Sequence, residues 1–395
     1  MSGRALASRD LIARLVGFDT TSRRSNLAMI EFIRDWLADL GVVSHLSFDD
    51  RRRKANLYAT LGPDDRPGLA LSGHTDVVPI DGQDWDSDPF TLVERNGRLY
   101  GRGACDMKSF IAVTLAFAPA LLQRNVHTPL HLAFSFDEEI GCIGVRRLLD
   151  QLAGMPIRPA ACIVGEPTGM RVVIGHKGKT AMRCVVRGRD GHSAAPRQAV
   201  NAIEIAAEII ARLRRLAERL RVEGPFDTTY DPPYATVQTG VIRGGTALNI
   251  VPAECVFDLE MRTLPDQDVA PLLAEIATWA EETLLPEMRA VAAETGIDWQ
   301  ETAAYPGLSE DPDSPLVGLV KRLAQSNEST TVAFGTEAGL YRRAGLSAVV
   351  CGPGHIAQAH QPNEFIECSQ VARCETFMER LIDHLCDDHG SPGTP

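Results

Sequence analysis

The chain has 395 residues, 44% hydrophobic and 23% charged, an ordinary globular composition with room for one large or two ordinary domains. A net charge of −12 argues against a nucleic-acid partner, and no apolar run reaches the roughly 18 residues that would suggest a membrane span. The opening stretch MSGRALASRDLIARLVGF lacks the apolar run and cleavage site of a secretory leader, so a cytoplasmic protein is expected.

Helical spacing of apolar residues predicts helices over ASRDLIARLVGF and SNLAMIEFIRDWLADLG, the second stopped by Gly41. ANLYATLG and GLALSGHTD read as strands. MKSFIAVTLAFAPALLQR reads as a buried helix perturbed at Pro119. A strand over Leu130–Phe136, a helix near 143–153 and the strand AACIVGEP follow. This alternation predicts a mostly parallel sheet with helices on both faces.

The rhythm changes after about residue 177. A strand (TAMRCVVRG), a long helix (NAIEIAAEIIARLRRLAERL), two alternating strands (ATVQTGVIRG, AECVFDLEMRTL), a helix (APLLAEIATWAEETLL) and a weak strand near 297–303 make a βαββαβ order. That is a ferredoxin-like pattern inserted into an α/β domain. Helices at 314–325 and 336–344, the strand LSAVVCG and a helix at 368–386 resume the first pattern. The expected division is 1–177 and 293–386 for the catalytic domain, 178–292 for the insert, and 387–395 for a disordered tail.

Nine cysteines are scattered without a CxxC pair, which argues against a zinc ribbon or a thioredoxin-type site. Most lie in apolar segments, and reduced thiols packing as small hydrophobes are expected.

The chemistry gathers where apolar strands end, which in an open parallel sheet is the ligand crevice. SGHTD places His74 and Asp76 there, either as a hydrogen-bonded turn or as a metal ligand with its orienting acid. Asp106, in YGRGACDMKS, is either a helix N-cap or a carboxylate bridging two cations. FSFDEEIG sets three adjacent acids after an apolar strand, a costly arrangement without positive charge nearby. Glu166 follows another strand, and AHQPNE offers His360. His74, Asp106, Glu139, Glu166 and His360 together suit a pair of divalent cations, zinc foremost, sharing one bridging carboxylate. HExxH and GxSxG are absent, GHKGKT lacks the first glycine of a phosphate loop, and Pro362 interrupts the helix that GPGHIA would need in a dinucleotide site.

SGHTDVVP, YGRGACDMKS, FDEEIGCIG, GEPT, GHSA and HQPNE, in this order, resemble the M20 family of co-catalytic metallohydrolases over essentially the full length. Within it, DWDSDPFTL, FGTEAGLY and CGPGHIAQAHQPNE are most similar to the branch that deacetylates N-acetylornithine in the arginine pathway. Desuccinylases, aminoacylases and dipeptidases are similar relatives, and a non-catalytic amino-acid-binding relative is the alternative from another class.

The resemblance implies a catalytic domain holding two Zn2+ per subunit, with Co2+ or Mn2+ as substitutes, and an inserted dimerisation or lid domain that makes a homodimer. It implies that His74 and Glu166 hold one zinc, Glu139 and His360 the other, and that Asp106 bridges them. Asp76 would orient His74, and Glu138 would be the general base and acid. His192, in GHSA, would reach the partner subunit's site and help stabilise the oxyanion. Asn249, Arg262, Thr336 and Gly354 would contact a small N-acyl amino acid. Arg262 suits an α-carboxylate through its bidentate fork, with an ion pair as the alternative. Glu337, on charge alone, is expected to meet the substrate's side-chain amine. Cys105 and Ser109 depart from the family pattern; Cys105 is expected to be a packing residue, or else a thiol exposed to reagents.

Overall fold

The computed structural model describes residues 7–387, which fall into two compact units. The first comprises the chain up to Gly175, Leu308–Thr331 and the chain from Thr336 onward; the second comprises His176–Gly307 and Val332–Gly335.

The first unit is built on a nine-stranded mixed sheet. Its centre is four parallel strands in the order Leu130–Ser135, Leu69–His74, Ala161–Pro167 and Ser347–Gly352. Antiparallel strands flank them, Ala55–Leu61 and Ser44–Phe48 on one side and Val172–His176 on the other. Leu69–His74 and Leu130–Ser135 are buried at every position, as strands covered on both faces must be. Successive side chains alternate between the faces. Leu57, Ala59, Leu132 and Phe134 join the core formed by the helices Ser8–Val16, Lys108–Leu122 and Cys368–Cys386. Tyr58 and Ala133 point the other way, onto Leu148 and Leu152 of the helix Ile143–Ala153. Because the central strands are parallel, His74, the acids after Ser135 and Glu166 emerge at one edge of the sheet.

The second unit is an antiparallel sheet in the order Thr236–Gly244, Glu254–Thr263, Gly178–Arg187, Gly296–Tyr305. It carries the helix Ala202–Glu223, capped by Asn201, and a helix beginning at Ala270 that passes through a π turn at Ala280–Leu284 and ends at Val291. The βαββαβ order matches the expected ferredoxin-like insert, but its expected end at 292 is too early. Gly296–Tyr305 pairs along its length with Gly178–Arg187, so the unit closes at Gly307. This edge strand buries few of its side chains, which is why its sequence pattern is weak. The tail expected from 387 lies, beyond Asp387, outside the described residues.

Candidate metal centre

His74 ends its strand buried, with Nδ1 2.9 Å from the Asp76 carbonyl oxygen. A carbonyl only accepts, so Nδ1 carries the hydrogen and Nε2 is left to face the acids. The Asp76 carboxylate is 3.7 Å from Nδ1, so the expected orientation of His74 by that carboxylate is made by the backbone of the same residue instead. The carboxylate clamps the acid loop. Its Oδ1 accepts from Glu138 N at 3.0 Å, and its Oδ2 accepts from Glu139 N at 3.3 Å and from the Ser22 hydroxyl at 2.7 Å. Asp137, first of the three acids, is matched by Lys54, whose Nζ lies 2.6 Å from its Oδ2.

Asp106 sits between two imidazoles. Its Oδ1 is 2.9 Å from His74 Nε2 and its Oδ2 is 3.3 Å from His360 Nε2. Glu166 Oε1 lies 3.6 Å from His74 Nε2, and Glu139 Oε2 lies 3.1 Å from His360 Nε2. Two triads, His74–Asp106–Glu139 and His74–Glu138–Glu166, have donor atoms within 4.8 Å of one another. His74 Nε2 thus has Asp106 and Glu166 beside it, and His360 Nε2 has Asp106 and Glu139.

The charge balance asks for cations. Burial first, then the neighbouring acids, push Glu138 up to about 8 and Glu166 well above the ordinary carboxylate range. Burial opposes a charged His74, but Glu166 and Asp106 outweigh it and raise its pKa well above the ordinary value. Hydrogen bonds to Asp106 and Glu139 raise His360 to about 10. Glu139 Oε1 is buried with no hydrogen-bond partner among the described residues. Nitrogen and carboxylate donors, an orphaned buried oxygen and clustered negative charge fit a pair of divalent cations.

The other expected site residues have different surroundings. Glu337 is buried, and its carboxylate accepts from Ser135 Oγ at 2.5 Å and Ser72 Oγ at 3.3 Å. Its carboxylate is therefore engaged by internal hydroxyls. Thr336 is buried, its Oγ1 accepting from Ala338 N at 3.1 Å at the start of the helix Ala338–Arg343. Gly354 has φ +87°, and a Cβ there would stand 2.6 Å from Cys105 Sγ. The Cys105 thiol is buried against the His355 carbonyl at 3.4 Å, and burial raises its pKa, so packing is the behaviour observed. Ser109 is likewise buried, donating to the Ala104 carbonyl at 2.5 Å.

His192, Asn249 and Arg262 belong to the second unit. His192 and Asn249 are exposed at the pairing of Gly191–His192 with Ile250–Val251, where Ser193 N donates to the Asn249 carbonyl at 3.1 Å. Arg262 Nε is 2.7 Å from Glu260 Oε1 and its Nη1 is 3.0 Å from the Tyr305 hydroxyl.

Sequence reasoning missed Lys108 and Glu364. Lys108 is buried with Nζ donating to the Phe18 carbonyl at 2.7 Å, and burial lowers its pKa to about 7. Glu364 accepts from Cys105 N at 2.8 Å and Asp106 N at 3.0 Å. Neither has a local signal, because their partners lie far away in the sequence.

The chain belongs to peptidase family M20/M25/M40, whose model matches residues 70–384, and it is a hydrolase of that family. It is 37% identical to the acetylornithine deacetylase of Myxococcus xanthus, covering 98% of this chain and 99% of that protein. Its fold is similar to an M20 metallo-carboxypeptidase from Sulfolobus solfataricus, with TM-score 0.77 at 18% identity over 96% of this chain and 99% of the other. A dinuclear metal-binding M20 peptidase from Bacillus subtilis is also similar, with TM-score 0.64 at 16% identity over 96% and 97%. Among the described residues, no helix is long and apolar enough to cross a membrane.

Proposed function

We propose that the protein removes the acetyl group from N2-acetyl-L-ornithine, giving L-ornithine and acetate, as a cytoplasmic enzyme of arginine biosynthesis. The observation that supports the chemistry is Asp106, whose two oxygens face the Nε2 atoms of two different histidines. The substrate rests on identity with the acetylornithine deacetylases.

Zinc is the proposed metal; His74 and Glu166 would hold one ion, His360 and Glu139 would hold the other, and Asp106 would serve both. When bound, such a pair supplies Lewis acidity and makes a water nucleophilic near neutral pH. Glu138 takes the proton of the attacking water and returns it to the departing amine nitrogen. The Asp76 carboxylate holds Glu138 and Glu139 in place through their backbone N–H groups. His192 of a second copy, dimerised through the inserted unit, donates to the developing oxyanion. Asn249, Arg262, Thr336 and Gly354 shape the substrate pocket. A second reading, hydrolysis of another N-acyl amino acid, is favoured by the engagement of the Glu337 carboxylate with Ser72 and Ser135, which leaves it less available to an ornithine amine.

Acetate release is to be measured on N2-acetylornithine, with other N-acetyl amino acids, N-succinyl-diaminopimelate and dipeptides in parallel. N2-acetylornithine should give the highest kcat/KM, chelation should abolish turnover, and zinc or cobalt should restore it. A higher kcat/KM on any other substrate overturns the assignment. Full activity in protein shown by elemental analysis to carry no metal overturns the chemistry.

A further inference from the structure

We propose that Glu364, Arg102 and Gln83 form a largely buried positioning network that holds the backbone of Asp106 and of His360, and so sets the affinity for the cation on the His360 side more strongly than for the cation on the His74 side. The inference rests on the two-cation reading above.

Glu364 and Arg102 are each 1% exposed and pair at 2.6 Å between Oε2 and Nη1. A buried ion pair is costly to assemble and persists where further hydrogen bonds satisfy both partners. Here they do. Glu364 Oε1 accepts from two consecutive backbone N–H groups, Cys105 at 2.8 Å and Asp106 at 3.0 Å. Arg102 Nη2 donates to Gln83 Oε1 at 2.6 Å, and Gln83 Nε2 donates to the His360 carbonyl at 3.0 Å. The Trp85 indole donates to the same Gln83 oxygen at 3.1 Å, and its ring lies 5.1 Å from the Arg102 guanidinium carbon. An unbroken path therefore runs from the backbone of Asp106 to the backbone of His360 without passing through a metal-binding atom.

The two histidines need different support. His74 is the last residue of a strand paired on both sides, and Glu166 lies within a strand. The sheet holds both. His360 lies between the short helical turn Ile356–Gln358 and the strand Phe365–Glu367, with φ +62° and a side chain 50% exposed. No regular element holds it, so the hydrogen bond from Gln83 is what fixes its carbonyl. Loosening the network frees His360 and leaves His74 and Glu166 in the sheet.

The test is competitive titration of the full chain with Zn2+ and with Co2+, for wild type, Glu364→Gln and Gln83→Met, with thermal unfolding recorded for each. Gln83 is only part-buried and uncharged, so Gln83→Met decides the question if Glu364→Gln does not fold. Gln83→Met should bind the first ion within about twofold of wild type and the second roughly 10- to 100-fold more weakly, the usual cost of removing a partner that orients a ligand, and Glu364→Gln, which also touches the shared Asp106, should weaken the second ion more than the first. The visible spectrum of the second Co2+ alone should change. Equal weakening of both ions, or no weakening of either, overturns the network. A wild-type chain that takes up fewer than two ions overturns the two-cation reading and the network with it.

Discussion

Glu138 and Glu139 are chain neighbours with separable tasks, and replacing each by glutamine should separate them. Glu138 is held through its backbone N–H by Asp76, and its side chain accepts from the Cys142 thiol at 3.4 Å. An amide in its place keeps the shape and the clamp but cannot carry the proton. General acid–base catalysis is worth typically 10²–10⁴-fold, or about 3–5 kcal/mol of barrier, so Glu138→Gln should lose that much in kcat while retaining two metal ions and a near-normal KM. Glu139 Oε2 lies 3.1 Å from His360 Nε2, and its Oε1 is buried without a hydrogen-bond partner among the described residues. Glu139→Gln removes one of three protein donors on the His360 side, and metal content should fall from about two ions per chain towards one. The assay is elemental analysis after gel filtration beside single-turnover kinetics. A Glu138→Gln protein that loses an ion while Glu139→Gln keeps both would show the roles to be the reverse of those assigned.

Two further predictions follow from other parts of the molecule. Subunits carrying His192→Ala mixed with subunits carrying Glu138→Ala should regain part of the wild-type activity, because one site of each heterodimer then carries neither defect; demonstrated subunit exchange without recovery refutes action across a dimer. His131 is buried with Nε2 unpartnered among the described residues, and burial lowers its pKa to about 4. The unfolded chain protonates near 6.5 and the folded chain only near 4, so this histidine's contribution is complete above about pH 6.5 and is lost as pH falls towards 4. Between pH 7 and pH 4.5 wild type should lose about 2–3 kcal/mol more stability than His131→Gln in urea unfolding, and equal losses refute the account.

What could be read from the sequence was whatever is local. His74 and Glu166 stand at the ends of apolar strands, and strand periodicity together with parallel order suffices to bring them to one edge of the sheet. Asp106, Glu139 and His360 lie in short motifs whose combination is specific to the family. The surroundings that the sequence did not reveal are governed by distant partners. Glu337 is adjacent to a helix start, but its burial depends on Ser72 and Ser135, 265 and 202 residues away. Asp76 bonds Glu138 N across 62 residues, and Glu364 bonds Asp106 N across 258, which no spacing rule reveals. The strand Ser44–Phe48 escaped notice because an edge strand needs only partial burial, and none of its residues is fully buried.

The parallel pairing of Ala161–Pro167 with Ser347–Gly352 dictates an order of assembly. During synthesis the ribosome delivers His74, Asp106, Glu138, Glu139 and Glu166 long before the strand that completes their sheet, with the whole inserted unit emerging in between. Contacts of such wide sequence separation form late and slowly. The last piece delivered also carries His360 and Glu364. A chain cut short before residue 347 would therefore expose a buried strand edge and a cluster of acids lacking both the second imidazole and Glu364, a target for cellular quality control rather than a weak enzyme.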